Sequence, residues 1–189
     1  EEKKEIYKND SAGTYPVFRS TSGVLLFEKK KKKKLIALPE DFGTSWFGSI
    51  LETKAKGKFI GYTAAKGAYL IDVASGTIKP ILQSVDIVQC KVSYNKTKLG
   101  ILLHNGEFKL FNLTTLQVEK QGKVIGETAK DASMKPQIEL TENFAYITSP
   151  TTGELLQLSL PTMSIAKKMK VSNTPYRITI LGFENSKGH

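Results

Sequence analysis

Three stretches of this chain share one layout, and that repetition constrains the fold more than any single motif does. They are "GKFIGYTAAKGAYLIDVASGTIKPI" (57–81), "TKLGILLHNGEFKLFNLTTLQVEKQ" (97–121) and "ENFAYITSPTTGELLQLSLPTMSIAKK" (142–168). Each opens with a short β-rich run centred on Phe59, Leu99 or Phe144, then turns at Gly67, Gly106 or Gly153. A second strand ends at Asp72, Asn112 or Ser159, and a polar turn leads into a third, shorter strand. Those Asp, Asn and Ser positions are spaced 40 and then 47 residues apart. Short strands joined by glycine turns read as β-hairpins. A unit of three to four strands recurring at roughly 40–50 residues is the pattern of a propeller blade.

The segments ahead of the three units supply an inner strand for each: "TSWFGSILET", "VDIVQCKVSY" and "KPQIEL". A fourth, shorter unit is "YPVFRSTSGVLLFEKKKKKKLIALPEDF", and the terminal "TPYRITIL" is expected as an inner strand for a following blade or for ring closure. No stretch sustains a 3.6-residue apolar period, so almost no helix is expected. The fold class is therefore all-β, a β-propeller-like array of about four blades of antiparallel strands. Residues 1–14 read as an N-terminal tail, and residues 15–189 as a single propeller-type domain with a short C-terminal tail. About four blades fit in 189 residues, whereas a seven-bladed ring needs roughly 300. The array is thus either a four-bladed ring or part of a larger one. An open half-ring exposes strand edges and an apolar flank, which implies a second chain, a copy of this one, or further sequence to complete it.

The formal net charge is +10, yet Lys29 to Lys34 are an unbroken run of six lysines, and without it the balance falls to +4. Nucleic-acid binders spread Lys and Arg over a face and interleave aromatics, and arginine occurs here only as Arg19 and Arg177. The run between "GVLLF" and "LIALP" reads as a solvated hairpin tip, with a polyanion site as the weaker alternative. No nucleic-acid partner is expected. No apolar stretch is long enough to span a membrane. The start "EEKKEIYKND" has no apolar signal region, which fits a cytosolic protein or a mature exported one. The single Cys90 excludes an internal disulfide or a cysteine-based zinc site, and its apolar setting suggests a buried strand thiol.

No nucleophile elbow, P-loop or dinucleotide-binding glycine motif is present. The carboxylates Asp41, Asp72, Asp86 and Asp131 are scattered rather than paired. Asp72 fits a turn residue whose carboxylate bonds backbone N–H groups, and Trp46 and Phe47 fit packing between blades. No enzyme activity is expected. The two histidines are His104, read as a turn residue with a ligand role as the alternative, and His189.

The runs "FGSILETKAKGKFIGYTAAKGAYLIDVASGTIKPI" and "KPQIELTENFAYITSPTTGELLQLSLPTMSIAKKMKVSNTPYRITILG" resemble the second half of the β-propeller zinc metallochaperones of the AztD type, which serve bacterial zinc ABC transporters. The most specific part is "NTPYRITILGFENSKGH" (173–189), similar to the family's closing strand and its glycine-rich tail ending in histidine. The resemblance implies an extracytoplasmic, periplasmic or cell-surface, metal-binding protein that carries Zn2+ and passes it to a transporter's solute-binding protein. His189 is the one ligand it carries over. The family's histidine-rich loops have no counterpart here: neither "YPVFRSTSGVLLF" nor "ETAKDASMKP" holds a histidine. Zinc takes about four ligands, or three in an open site, so a site built on His189 needs others from a partner or a missing half of the ring; Glu184 is the nearest local carboxylate. The competing readings are an ordinary chain end at His189, and a propeller that binds another protein without metal.

Overall fold

The computed structural model describes residues 7–12, 15–27 and 33–181. Their sixteen strands form four antiparallel sheets, each built from four strands consecutive in the chain. Blade 1 holds β1 (Tyr7–Ala12), β2 (Tyr15–Ser20), β3 (Gly23–Phe27) and β4 (Lys33–Ala37). Blade 2 holds β5 (Ser49–Glu52), β6 (Lys58–Thr63), β7 (Gly67–Asp72) and β8 (Thr77–Gln83). In blade 3 the strands are β9 (Ile87–Val92), β10 (Lys98–Leu103), β11 (Glu107–Asn112) and β12 (Val118–Lys123). Blade 4 comprises β13 (Ile138–Leu140), β14 (Phe144–Ser149), β15 (Glu154–Ser159) and β16 (Ser164–Lys170). One 3-10 turn, Glu40–Phe42, is the sole helical element among the described residues. The all-β propeller expectation holds, and the three sequence repeats are blades 2, 3 and 4.

Two boundaries differ from the sequence reading. Tyr7–Ala12, inside the stretch assigned to a tail, pairs with β2 and completes blade 1. "YKNDSA" carries no apolar alternation, so backbone pairing rather than side-chain pattern makes it a strand. At the other end, residues 175–181 belong to no sheet. An inner strand needs the next strand of its own blade to satisfy its backbone, and no described residue supplies one.

Side chains of alternating parity bury three layers, one between each successive pair of blades. Val17, Val24, Leu26 and Ile36 of blade 1 meet Ile50, Phe59, Tyr69 and Ile71 of blade 2, with Phe42 and Phe47 from the connection between them. Ile60, Ala68 and Leu70 on blade 2's other face meet Cys90, Leu99, Ile101 and Phe111 of blade 3. Leu102, Phe108 and Leu110 then meet Ile138, Ile147, Leu156 and Leu158 of blade 4. Cys90 is therefore the core thiol expected, and burial pushes its pKa up to about 12. Phe47 packs between blades as expected, whereas Trp46 is half-buried beneath the Arg19 guanidinium, whose carbon lies 5.7 Å from the ring centre. Arg19 also donates to the carbonyls of Phe47 (3.3 Å) and Gly48, pinning blade 1 to the strand connection.

The polar turns repeat with the blades. Asp72 Oδ1 accepts from the N–H groups of Ala74 (3.0 Å) and Ser75 (3.3 Å), and Asn112 Oδ1 does the same for Thr114 (2.8 Å) and Thr115 (3.2 Å). Asp72 thus has the turn role its position suggested. Lysines 29–32 lie outside the described residues. The end of that run is strand rather than tip: Lys33 and Lys34 belong to β4, and Lys34 Nζ donates to Val73 O of blade 2 at 2.5 Å.

Candidate functional site

The innermost strands β5, β9 and β13 line one rim, and backbone bonds stitch it across the blades. Lys54 N donates to Lys96 O (2.9 Å), and Tyr94 N donates to Leu140 O (2.9 Å). Three hydroxyls at equivalent places close the loop after each inner strand. Thr53 Oγ1 donates to Lys58 O (2.8 Å), Ser93 Oγ accepts from Lys98 N (3.0 Å), and Thr141 Oγ1 accepts from Phe144 N (3.1 Å). Sequence reading passed over these positions, although each falls just after its inner strand and could be found by aligning the repeats.

Along this rim opens a groove of about 380 Å³, walled by Leu51, Glu52, Val92, Tyr94 and Leu140. Thr179 and Ile180, from the segment outside the sheets, form part of its lining. Its charges are paired between blades: Lys96 with Glu52, and Lys91 Nζ with Glu139 Oε1 at 2.8 Å. Each carboxylate belongs to a different blade from its lysine, so the pairs fix the relative placement of blades 2, 3 and 4. Both are partly exposed and hold little stability of their own.

A second opening, of about 620 Å³, lies at the β10–β11 hairpin and holds His104 with Ser84, Asp86, Glu127 and Lys130. His104 is more than a turn residue. Its Nδ1 lies 2.7 Å from Thr128 O, and the backbones reciprocate, with Thr128 N donating to His104 O at 2.8 Å. A carbonyl only accepts, so Nδ1 carries the proton and Nε2 is the nitrogen left to accept. His104 N also donates to Asp86 O (2.8 Å). The imidazole thereby anchors the long connection 124–137 between blades 3 and 4 to the hairpin.

Asp86 Oδ1 sits 2.6 Å from Lys130 Nζ. That lysine's hydrogen bond, then its charge, holds the exposed Asp86 carboxyl below the usual range, with nearby His104 adding to the effect. A depressed folded-state pKa gives a contribution to folding that is present above the unfolded value and fades as pH falls. Lys130→Ala should return Asp86 toward the ordinary carboxylate titration, followed through its side-chain carbon by NMR. An unmoved titration would exclude Lys130 as the cause.

His189 and Glu184 lie outside the described residues. Of the scattered aspartates, Asp72 holds its turn, Asp86 pairs with Lys130, and no two form an acid–base couple among the described residues. No three His, Cys, Asp or Glu side chains among them converge as a metal cluster. No described helix is long and apolar enough to cross a membrane.

No protein-family model matches the chain, and no curated protein matches it significantly. Solved structures do. Apo AztD from Citrobacter koseri superposes with TM-score 0.76 at 15% identity, covering 90% of this chain and 48% of that one. A second structure of Citrobacter koseri AztD gives 0.73 at 14% identity, again covering 90% of this chain and 48% of the other. The Pan2 WD40 domain of Neurospora crassa gives 0.60 at 12% identity, covering 90% of this chain and 53% of that one. At such identities the likeness is one of fold, an AztD-like β-propeller. The chain spans about half the length of the solved structures it matches.

Proposed function

We propose that this chain is a non-catalytic, extracytoplasmic β-propeller of zinc handling, metallochaperone-like, with Zn2+ as cargo and a transporter's solute-binding protein as recipient. The superposition on AztD carries the reading, because it is tighter than that on a WD40 domain (0.76 against 0.60) over the same share of this chain. The sequence resemblance supports it independently, most specifically over residues 173–189. The described blades offer one imidazole, and the Asp86 carboxylate beside it is engaged by Lys130. This reading therefore takes its ligands from His189 and from groups on a partner.

Zinc titration against a competing fluorescent chelator tests it, using the full chain and His189→Ala with the solute-binding protein present. Binding in the parent and a loss of at least ~10-fold in the variant is the expected result, since one of about four ligands is removed. No tight binding by either chain would leave the second reading, a propeller that binds protein without metal. Leu35, 50% exposed on the side of blade 1 turned away from blade 2, favours that second reading.

A further inference from the structure

We propose that the outer edges of blades 2, 3 and 4 form one basic band that binds a linear phosphate polymer carrying no bases. The inference rests on the fold and not on the zinc reading. Charge in this array is sorted by distance from the rim. The outermost strands β8, β12 and β16 carry six lysines (79, 120, 123, 167, 168 and 170), all exposed, and one carboxylate, Glu119. The innermost strands β5, β9 and β13 carry one lysine, Lys91, and two carboxylates, Glu52 and Glu139.

The rim charges are all paired: Lys91 with Glu139, and Glu52 with Lys96 in the turn after β9. The outer edge is not balanced in this way. Glu119 is already engaged by Lys98 Nζ (3.0 Å) and Asn112 Nδ2 (2.8 Å). Lys123 reaches Glu127 at 4.0 Å, and Lys170, opposite Glu154 in the strand pair, donates to Thr152 O (2.6 Å). Lys79, Lys120, Lys167 and Lys168 make no ion pair or side-chain hydrogen bond among the described residues. On blade 1, Lys34 is held by Val73 O, so the free band runs over blades 2 to 4.

The strand register sets these lysines along the seams between blades. Lys79 pairs with Leu70, on the side of blade 2 that meets blade 3. Lys120 pairs with Leu110, on the side of blade 3 that meets blade 4, and Lys168 pairs with Leu156, on the side of blade 4 that meets blade 3. Lysines from both blades thus border the outer mouth of that seam. A chain lying along the edge passes from the lysines of one blade to those of the next. Along β16 alone, Lys167 to Lys170 cover about 10 Å of strand.

Open strand edges are commonly protected by lysine. Protection accounts for a lysine on each strand, but not for three on β16 or for the shortage of counter-charge beside paired rim lysines. A band of one sign fits a partner that is anionic along its length. Lysine ammonium groups are point charges that suit phosphate. β8, β12 and β16 hold no arginine to read a base and no aromatic ring to stack on one. A flat anionic bilayer touches a curved edge at one blade, whereas a flexible polymer follows it across three.

Fluorescence anisotropy of end-labelled inorganic polyphosphate against the full chain tests this. Affinity should fall ~100-fold between about 50 and about 200 mM salt, the dependence for about five contacts on a single-stranded polyanion. Replacing Lys79, Lys120, Lys167 and Lys168 by glutamine should weaken binding at least ~30-fold and flatten most of that dependence, with an unchanged circular dichroism spectrum. Replacing lysines 29–32 by glutamine removes the same charge and should cost less than ~3-fold. Equal losses in the two variants would reduce the effect to net charge and overturn the proposal, as would undiminished binding by the first. In the parent chain, bound polyphosphate should shield those four edge lysines from acetylation, read by mass spectrometry. Lys54 and Lys56, equally exposed in the β5–β6 turn, should stay reactive. This measurement needs no variant to fold, and uniform shielding would overturn the proposal. Tighter binding to oligo(dT) of equal charge would assign the band to nucleic acid instead, and tighter binding to phosphatidylglycerol vesicles would assign it to a membrane.

Discussion

Replacing Phe47 with alanine should destabilise the chain by about 4 kcal/mol, the range for removing a fully buried aromatic. Phe47 is 1% exposed and sits where the β4–β5 connection enters the layer between blades 1 and 2. It meets Phe42 edge-on with ring centres 5.2 Å apart, and Tyr69 at 5.9 Å, while Phe42 and Tyr69 are 5.1 Å from each other. Losing one ring of such a triangle removes both the buried area and two aromatic contacts. The ring also lies flat against Gly61, where a Cβ would come within 2.7–2.8 Å of three of its carbons. Gly61→Ala should therefore cost well over 1 kcal/mol in the parent and far less in Phe47→Ala, where the space has been vacated. Urea denaturation of the parent, both single variants and the double variant measures this coupling. Strictly additive costs would refute the packing described here. A domain of this size has roughly 5–15 kcal/mol in total, so Phe47→Ala alone brings it near the edge of folding.

The blades were legible because their turns depend on residue types that declare themselves. Glycine at 67, 106 and 153, with Asp72 and Asn112 one strand later, marks the same two turns in successive units, and the apolar alternation between them marks strands. Phe47 was legible for a similar reason, as a large aromatic at a strand entry. What escaped notice was held by backbone. Tyr7–Ala12 is a strand by pairing with β2, and "YKNDSA" has no pattern to announce it. Arg19 looked like one of two stray arginines, and its role as an anchor between blade 1 and the next connection exists only once residues 28 positions apart meet. The candidate site was less legible still. Glu52, Lys91, Lys96 and Glu139 come together because inner strands of three blades converge on one rim, which no local spacing encodes. His104 was visible as a residue, but its bond to Thr128 requires the long connection to fold back over the hairpin.

Gly106→Ala should cost about 3 kcal/mol, from steric conflict with backbone and a left-handed conformation together. Gly106 has φ +83°, a region that residues with a Cβ enter only with strain. A Cβ there would lie 2.2 Å from Ile125 O and 2.8 Å from Gly126 O, and carbonyls held in a strand connection cannot move aside as a flexible side chain could. The same residue donates its N–H to Leu103 O (2.9 Å) and accepts from Val124 N (3.0 Å), so shifting it loosens the start of the 124–137 connection. The damage should spread to the His104 pocket, whose wall at Thr128 is held by that connection. Faster hydrogen exchange at Val124 and Thr128, with blades 1 and 2 unchanged, is the local sign. Gly126→Ala is the control: nothing lies within 4 Å of its Cβ position, and its φ is not positive, so its cost should be small. Gly67 and Gly153 occupy the same turn in blades 2 and 4, with carbonyls at 2.1 and 2.3 Å, and should respond as Gly106 does. Equal costs for Gly106→Ala and Gly126→Ala would mean that the repeated glycine reflects only turn propensity. Unequal costs would tie the repeat that defines the fold to one recurrent close approach of backbone to backbone.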